Sequence, residues 1–212
     1  MNRIKLKICG MKHNLEEVSQ LKPDYLGFIF YDKSPRSFEG DIPNLDSSIS
    51  RVGVFVNASL EKISEKIKRY KLDVIQLHGN ETPSFCNELS LLVGNASNLP
   101  GTIEIWKVFS IKDSFNFNQL AAYEPIVDKF LFDTKGKEKG GNGYVFDWNV
   151  LKDYASGKPF ILSGGIGLEE IPALKTILET ELPIHAIDVN SKFESSPGFK
   201  NIHDLKKLID EL

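Results

Sequence analysis

The 212 residues are 41% hydrophobic and 26% charged, and 26 Lys+Arg against 29 Asp+Glu leave a formal net charge of -3. That is enough apolar material for one sizeable core, at the short end of the ~200–250 residues of an α/β barrel, and it supplies no basic field for a nucleic-acid backbone. No apolar run reaches the ~18–20 residues of a membrane span, and residues 1–7 alternate charged with apolar side chains instead of forming a signal-peptide core. The expectation is one domain over residues 1–212, cytoplasmic, with neither a membrane nor a nucleic-acid partner.

The first apolar run, Ile4 to Ile8, ends at Cys9-Gly10, and Asn14 stands before Glu17 as a capping pair for a helix start. Tyr25 to Phe30 leads into Lys33-Ser34-Pro35-Arg36-Ser37. The next segment, Gly40 to Ser50, holds Pro43 and several serines with little amphipathic pattern and predicts a short or irregular second helix. Val52 to Val56 precedes Leu60, Ile63 and Ile67 on one helical face. Val74 to Leu77 ends at His78-Gly79, and Thr82-Pro83 marks the start of a helix. Ile103 to Phe109, Phe130 to Phe132 and Phe160 to Leu162 follow, the last two ending at Asp133-Thr134 and Ser163-Gly164-Gly165. Leu168, Ile171, Leu174 and Leu178 have helical spacing; Ala186 to Val189 ends at Asn190-Ser191, and Ile202, Leu205, Leu208, Ile209 and Leu212 close the chain. Strand candidates alternating with helical segments predict a parallel sheet. In so short a chain a closed (β/α)8 barrel is favoured, with an open doubly wound sheet as the alternative.

Polar residues and glycines gather just after the apolar runs, which is the face where barrel enzymes keep their active sites. Cys9 is either a small buried hydrophobe or a thiol in the mouth, where service as a base requires a lowered pKa. Cys86, beside Phe85 and Leu89, reads as packing, and two cysteines in a reducing compartment form no disulfide framework. Asp133, directly after three large apolar residues, either caps a loop or is a carboxylic acid poised to protonate a leaving oxygen. Gly136 to Gly143, with Lys135, Lys137 and Lys139, is either a flexible loop or a phosphate cradle. The case is stronger for Gly164 and Gly165, because phosphate sites of barrels lie after strands seven and eight, where Asp188, Asn190 and Ser191 would form the other half. Arg36 is a solvated charge or a planar clamp for a carboxylate; His78 is a structural hydrogen-bonding group or a titrating one. His13, His185 and His203 have no informative neighbours, and no metal-ligand cluster is visible.

Taken together, Lys7-Ile8-Cys9-Gly10, Gly27-Phe28-Ile29-Phe30 with Ser34-Pro35-Arg36, Val52 to Asn57, Gln76-Leu77-His78-Gly79, Phe132-Asp133, Gly140-Gly141 with Phe146-Asp147-Trp148, Leu162 to Gly165, and Glu194 with Pro197-Gly198 resemble the phosphoribosylanthranilate isomerase family of tryptophan biosynthesis from end to end. The resemblance implies a (β/α)8 barrel that carries out an Amadori rearrangement of a phosphoribosyl substrate without metal or cofactor. It implies Asp133 as general acid and Cys9 as general base. Arg36 would face the anthranilate carboxylate; Gly164, Gly165 and the segment Asp188 to Ser191 would hold the phosphate, with His78 and Gly141 as further substrate contacts. Monomer and homodimer are both compatible with it.

Three departures from the family pattern stand out. Lys192 replaces a glycine, with a doubtful backbone conformation; Asn142 replaces a hydroxyl residue; the second helix is poorly patterned. The rivals are less consistent with the residues. Indole-glycerol-phosphate synthase would want catalytic lysine and glutamate and an N-terminal extension, and a ribulose-phosphate epimerase paired carboxylates or metal-binding histidines. A non-catalytic phosphate-binding barrel would need neither Cys9 nor Asp133.

Overall fold

The computed structural model describes residues 3–94, 102–112, 114–134 and 147–212. Eight parallel strands hydrogen-bond in sequence order and close into a barrel: β1 (Lys5–Ile8), β2 (Tyr25–Ile29), β3 (Ser50–Phe55), β4 (Val74–Leu77), β5 (Glu104–Ile111), β6 (Lys129–Thr134), β7 (Phe160–Leu162) and β8 (Ile184–Val189). Closure is direct, with Lys5, Leu6, Lys7 and Ile8 in register with Ala186, Ile187, Asp188 and Val189, so the open-sheet alternative falls. β5 runs past its apolar stretch because Ser110 and Ile111 pair with Asp133 and Thr134. β8 starts early because Ile184 pairs with Phe160; a neighbouring ladder supplies partners that the hydrophobic pattern does not reveal.

Strand side chains alternate between two cores. Tyr25, Val52, Val54, Val74, Trp106, Val108, Leu131, Ile161 and Ala186 pack together with Cys9. Their sequence neighbours, such as Leu26, Ile75, Ile105, Phe130, Phe132 and Ile187, join the larger core shared with the helices. On β1 the residue that shares a face with Cys9 is Lys7, fully buried and in register with Asp188.

The helices are less regular than the strands. α1 (Leu15–Ser19), α2 (Leu60–Tyr70), α3 (Pro83–Gly94), α4 (Ile171–Leu178) and α5 (Ile202–Glu211) follow β1, β3, β4, β7 and β8, the last after a short hairpin of β9 (Glu194–Ser196) and β10 (Phe199–Lys200). α2 buries Ile63, Ile67 and Tyr70, and the Ser59 side chain accepts the Lys62 N–H at 3.3 Å as its cap. Thr82 caps α3 by accepting the Phe85 N–H at 3.2 Å. The capping role read into Asn14 is not realised. Its side-chain amide instead exchanges two hydrogen bonds of 2.9 Å with the Lys200 backbone, which ties α1 to the hairpin.

The short second helix expected from Gly40 to Ser50 does not form, so no helix lies between β2 and β3, and only 3₁₀ turns, Phe117–Ala122 and Trp148–Asp153, stand among the described residues on either side of β6. Aromatic rings cover the barrel there: Phe132 lies 5.0 Å from Phe160, 5.5 Å from Tyr154 and 6.0 Å from Phe117, centroid to centroid. Such rings bury roughly 150–250 Å² each, and Phe132 meets Tyr154 and Phe117 edge-to-face, as aromatic pairs prefer. Among the described residues no helix is long and apolar enough to cross a membrane.

Candidate active site at the carboxyl end of the barrel

One cavity opens at the carboxyl ends of the strands, with about 760 Å³ of empty space including its open mouth. Cys9, His78, Asp133, Gly164, Gly165, Asp188, Asn190 and Ser191 all line it. Arg36 does not line it, and Gly141, Asn142 and the rest of the glycine loop after β6 lie outside the described residues.

Asp133 ends β6 facing inward. Its Oδ1 accepts the Thr134 N–H at 2.9 Å, and His78 Nε2 stands 3.2 Å from its Oδ2. His78 Nδ1 is 3.3 Å from Gln76 Nε2, while Gln76 Oε1 is buried without a hydrogen-bond partner. Gln76 therefore belongs to the site, and sequence reading passed over it. Its position two residues before His78, hence on the same face of β4, is the signal that would have found it. The loop carrying His78 is anchored from below. Glu81 accepts the Gly79 and Asn57 backbone N–H groups and pairs with buried Lys107, which also donates to the Gly79 carbonyl at 3.0 Å.

Cys9 is 4% exposed. Burial pushes its thiol pKa up, against the opposing charges of Lys7 and Lys200, which corrects the expectation of a lowered value. The two lysines are too strongly compensated to win, since Lys7 Nζ lies 2.8 Å from Asp188 Oδ1 and Lys200 Nζ lies 2.8 Å from Glu194 Oε1. Gly27 on β2 leaves the space for this arrangement: a Cβ there would stand 2.9 Å from Cys9 Sγ and 3.1 Å from Lys7 Nζ. Cys86, by contrast, is packed in α3 and pushed up to about 11 by burial.

Asp188 turns its second oxygen to the Ser163 hydroxyl at 3.0 Å. Its carboxylate is thus a partner of Lys7 and Ser163, and an anionic group has no reason to approach it. The facing half of the cavity is lined largely by backbone. Gly164 adopts φ +92 and Gly165 φ +72, and a Cβ on Gly164 would run into the Thr134 backbone nitrogen. Only glycine allows both the left-handed conformation and that approach. The N–H groups of Gly164, Gly165, Ser191 and Lys192 find no acceptor among the described residues, and such free amides form a nest for an anion. Lys192 sits in a 3₁₀ turn, Ser191–Phe193, and is not among the positive-φ residues. The backbone strain feared for a lysine there does not arise.

Arg36 is held by Glu194 through three contacts of 2.7–3.0 Å. It stands at the rim beside Asn190, both side chains packing on Gly10. Among the other histidines, His185 lies at the opposite end of the barrel with Nε2 2.8 Å from the Tyr25 hydroxyl, and His13 stacks on Phe199 at 6.4 Å.

The family model of N-(5'-phosphoribosyl)anthranilate (PRA) isomerase matches residues 6–211. An N-(5'-phosphoribosyl)anthranilate isomerase of Parabacteroides distasonis is 40% identical over 215 residues, covering 98% of this chain and 92% of the relative. The solved phosphoribosyl anthranilate isomerase from Thermotoga maritima superposes with a TM-score of 0.80 at 28% identity, over 99% of this chain and 98% of that one. Another solved phosphoribosyl anthranilate isomerase, in complex with reduced 1-(o-carboxyphenylamino)-1-deoxyribulose 5-phosphate, has a TM-score of 0.78 at 25% identity over 99% and 98% of the two chains. With the barrel and its carboxyl-end cavity inside the matched span, the chain belongs to the N-(5'-phosphoribosyl)anthranilate isomerase family.

Proposed function

We propose that this chain converts N-(5'-phosphoribosyl)anthranilate into 1-(2-carboxyphenylamino)-1-deoxyribulose 5-phosphate, the Amadori step of tryptophan biosynthesis, with Asp133 as general acid and Cys9 as general base. The observation that carries this reading is that one cavity brings Cys9, Asp133 and the free amides of Gly164 and Gly165 together in a member of this family. Asp133 gives a proton to the furanose ring oxygen, and the ring opens to a Schiff base. Cys9 as thiolate takes the C2 proton, which the adjacent iminium acidifies, and the resulting enolamine tautomerises to the ketone. Each such group typically contributes about 10²–10⁴-fold.

The rearrangement is redox-neutral, so moving protons suffices. Over one turnover Asp133 loses a proton and Cys9 gains one, and a proton must return from Cys9 to Asp133 before the next. The raised thiol pKa fits the stage at which Cys9 has just taken its proton. His78, 3.2 Å from Asp133, is placed to hold that carboxyl in position. The amides of Gly164, Gly165, Ser191 and Lys192 take the phosphate, and Arg36 at the rim takes the anthranilate carboxylate.

The test is the fluorescence time course of freshly generated phosphoribosylanthranilate, corrected for spontaneous decay. Rapid conversion by wild type, lost in Cys9→Ser and Asp133→Asn, supports the assignment. No conversion by folded wild type rejects it.

A further inference from the structure

Beside the cavity, the loop after β2 meets the β9–β10 hairpin in a buried cluster of two cations on one carboxylate. Glu194, its side chain 3% exposed, receives Arg36 Nε at 3.0 and 2.9 Å and Arg36 Nη2 at 2.7 Å. Its Oε1 also accepts Lys200 Nζ at 2.8 Å and the Gly198 N–H at 3.1 Å, and the same Lys200 ammonium donates to Asn190 Oδ1 at 2.8 Å. Burial pushes the Glu194 pKa up, but the Arg36 hydrogen bonds and the Lys200 charge outweigh it and hold the carboxyl below its ordinary range.

Two features go beyond what holding a hairpin requires. Glu194 engages the guanidinium through Nε and Nη2, so the opposite edge, Nη1, is left without a hydrogen-bond partner among the described residues. The cluster sets two cationic side chains, Arg36 and Lys200, on one carboxylate, with Lys200 and Glu194 buried and Arg36 partly exposed, so its uncompensated positive side faces outward through Arg36, where an anion can complete it. A guanidinium edge fixed in this way matches the planar oxygens of a carboxylate.

We propose that Glu194 is a positioning residue for substrate selection: backed by Lys200, it clamps Arg36 so that the free Nη1 edge recognises the carboxylate on the substrate's aromatic ring. This rests on the isomerase reading above, and it places specificity for the carboxylated ring in the hairpin after β8.

The experiment compares dissociation constants of wild type and Glu194→Gln for two probes. One is reduced 1-(2-carboxyphenylamino)-1-deoxyribulose 5-phosphate; the other carries a plain phenylamino group in its place. Glu194→Gln is expected to weaken the carboxylated probe roughly 10- to 100-fold and to leave the plain probe within about twofold. Equal weakening of both probes, or none of the first, overturns the proposal. Glu194→Asp keeps the charge on a shorter stem and serves if the glutamine variant does not fold; an intermediate loss confined to the carboxylated probe supports the clamp, and an equal loss on both rejects it. In an Arg36→Met background the Glu194→Gln effect should vanish, and its persistence means that Glu194 does not act through Arg36. Wild type that binds neither probe overturns the isomerase reading and this inference together, whereas wild type that binds both with equal strength overturns only the inference.

Discussion

The two ends of the barrel are built from the same kinds of half-buried polar side chains, and they differ in whether those groups find partners within the protein. At the amino end the Tyr25 hydroxyl meets His185 Nε2 at 2.8 Å, Lys129 Nζ meets Glu104 Oε2 at 2.7 Å, and the Trp106 indole N–H donates to the same carboxylate at 2.8 Å; Arg51 Nε, near the start of β3, is the exception, buried without a partner. At the carboxyl end Gln76 Oε1, Arg36 Nη1, the Lys192 ammonium and the amides of Gly164 and Gly165 have no partner among the described residues. A closed set of hydrogen bonds contributes to stability and offers a ligand nothing; an open set is completed only by water or ligand. The contrast is one of degree: the unpartnered groups concentrate at the carboxyl end, around the cavity.

The largest expected effect sharpens that contrast. Cys9→Ser and Asp133→Asn should each lower kcat by about 10²–10⁴-fold while the thermal midpoint stays close to wild type, measured by turnover and melting on the same samples. A midpoint that collapses along with activity would mean that these residues hold the barrel together instead of performing chemistry.

Asp188 is the residue on which the contrast should break. It lines the mouth, yet it is fully partnered by Lys7 at 2.8 Å and Ser163 at 3.0 Å. Asp188→Asn leaves the Lys7 ammonium buried against a neutral group, so it is expected to behave like a structural residue. About 3–5 kcal/mol of stability should be lost, read from urea unfolding. An unchanged unfolding midpoint would show that Lys7 finds another anion.

At the amino end, burial and then the charges of Lys129 and Lys5 lower the His185 pKa from 6.5 to about 4. The unfolded chain therefore binds a proton that the folded protein rejects. The neutral imidazole's contribution is fully present above pH 6.5 and is lost as pH falls towards about 4. With its partial exposure discounted, the loss should be on the order of 1 kcal/mol. His185→Gln, which keeps a hydrogen-bonding partner for Tyr25, should flatten this part of the stability curve without moving kcat. A curve as steep as wild type assigns the acid sensitivity to other groups.

The smallest effect belongs to Lys192, whose exposed ammonium is unpaired among the described residues. If it attracts the substrate phosphate, Lys192→Gly raises KM about two- to fivefold at low salt and less at moderate salt, as expected for a screened surface charge. A KM unchanged at both salt concentrations removes Lys192 from the binding surface.

Much of this was legible before any coordinates. The eight apolar runs became the eight strands because side-chain periodicity depends only on local geometry. Cys9, His78, Asp133, Gly164 and Asn190 were selected because they directly follow such runs, and they do share one cavity. The helices were less legible. Phe117–Ala122 and Trp148–Asp153 are 3₁₀ turns, and their barrel cover comes from aromatic rings brought together from distant parts of the chain.

The sequence by itself determined where the strands lie along the chain, the strand ends that carry the polar residues, and the residue types available for acid-base work. All of these follow from neighbours within a few positions. Only the tertiary structure decided who pairs with whom. Lys7 reaches Asp188 across 181 positions, and Arg36 reaches Glu194 across 158. Those pairings follow from closure of β8 onto β1 and from the fold of the hairpin after it, and with them the burial that pushes the Cys9 thiol pKa up. Burial and charge neighbourhood are properties of where distant segments meet, and no local pattern in the chain encodes them.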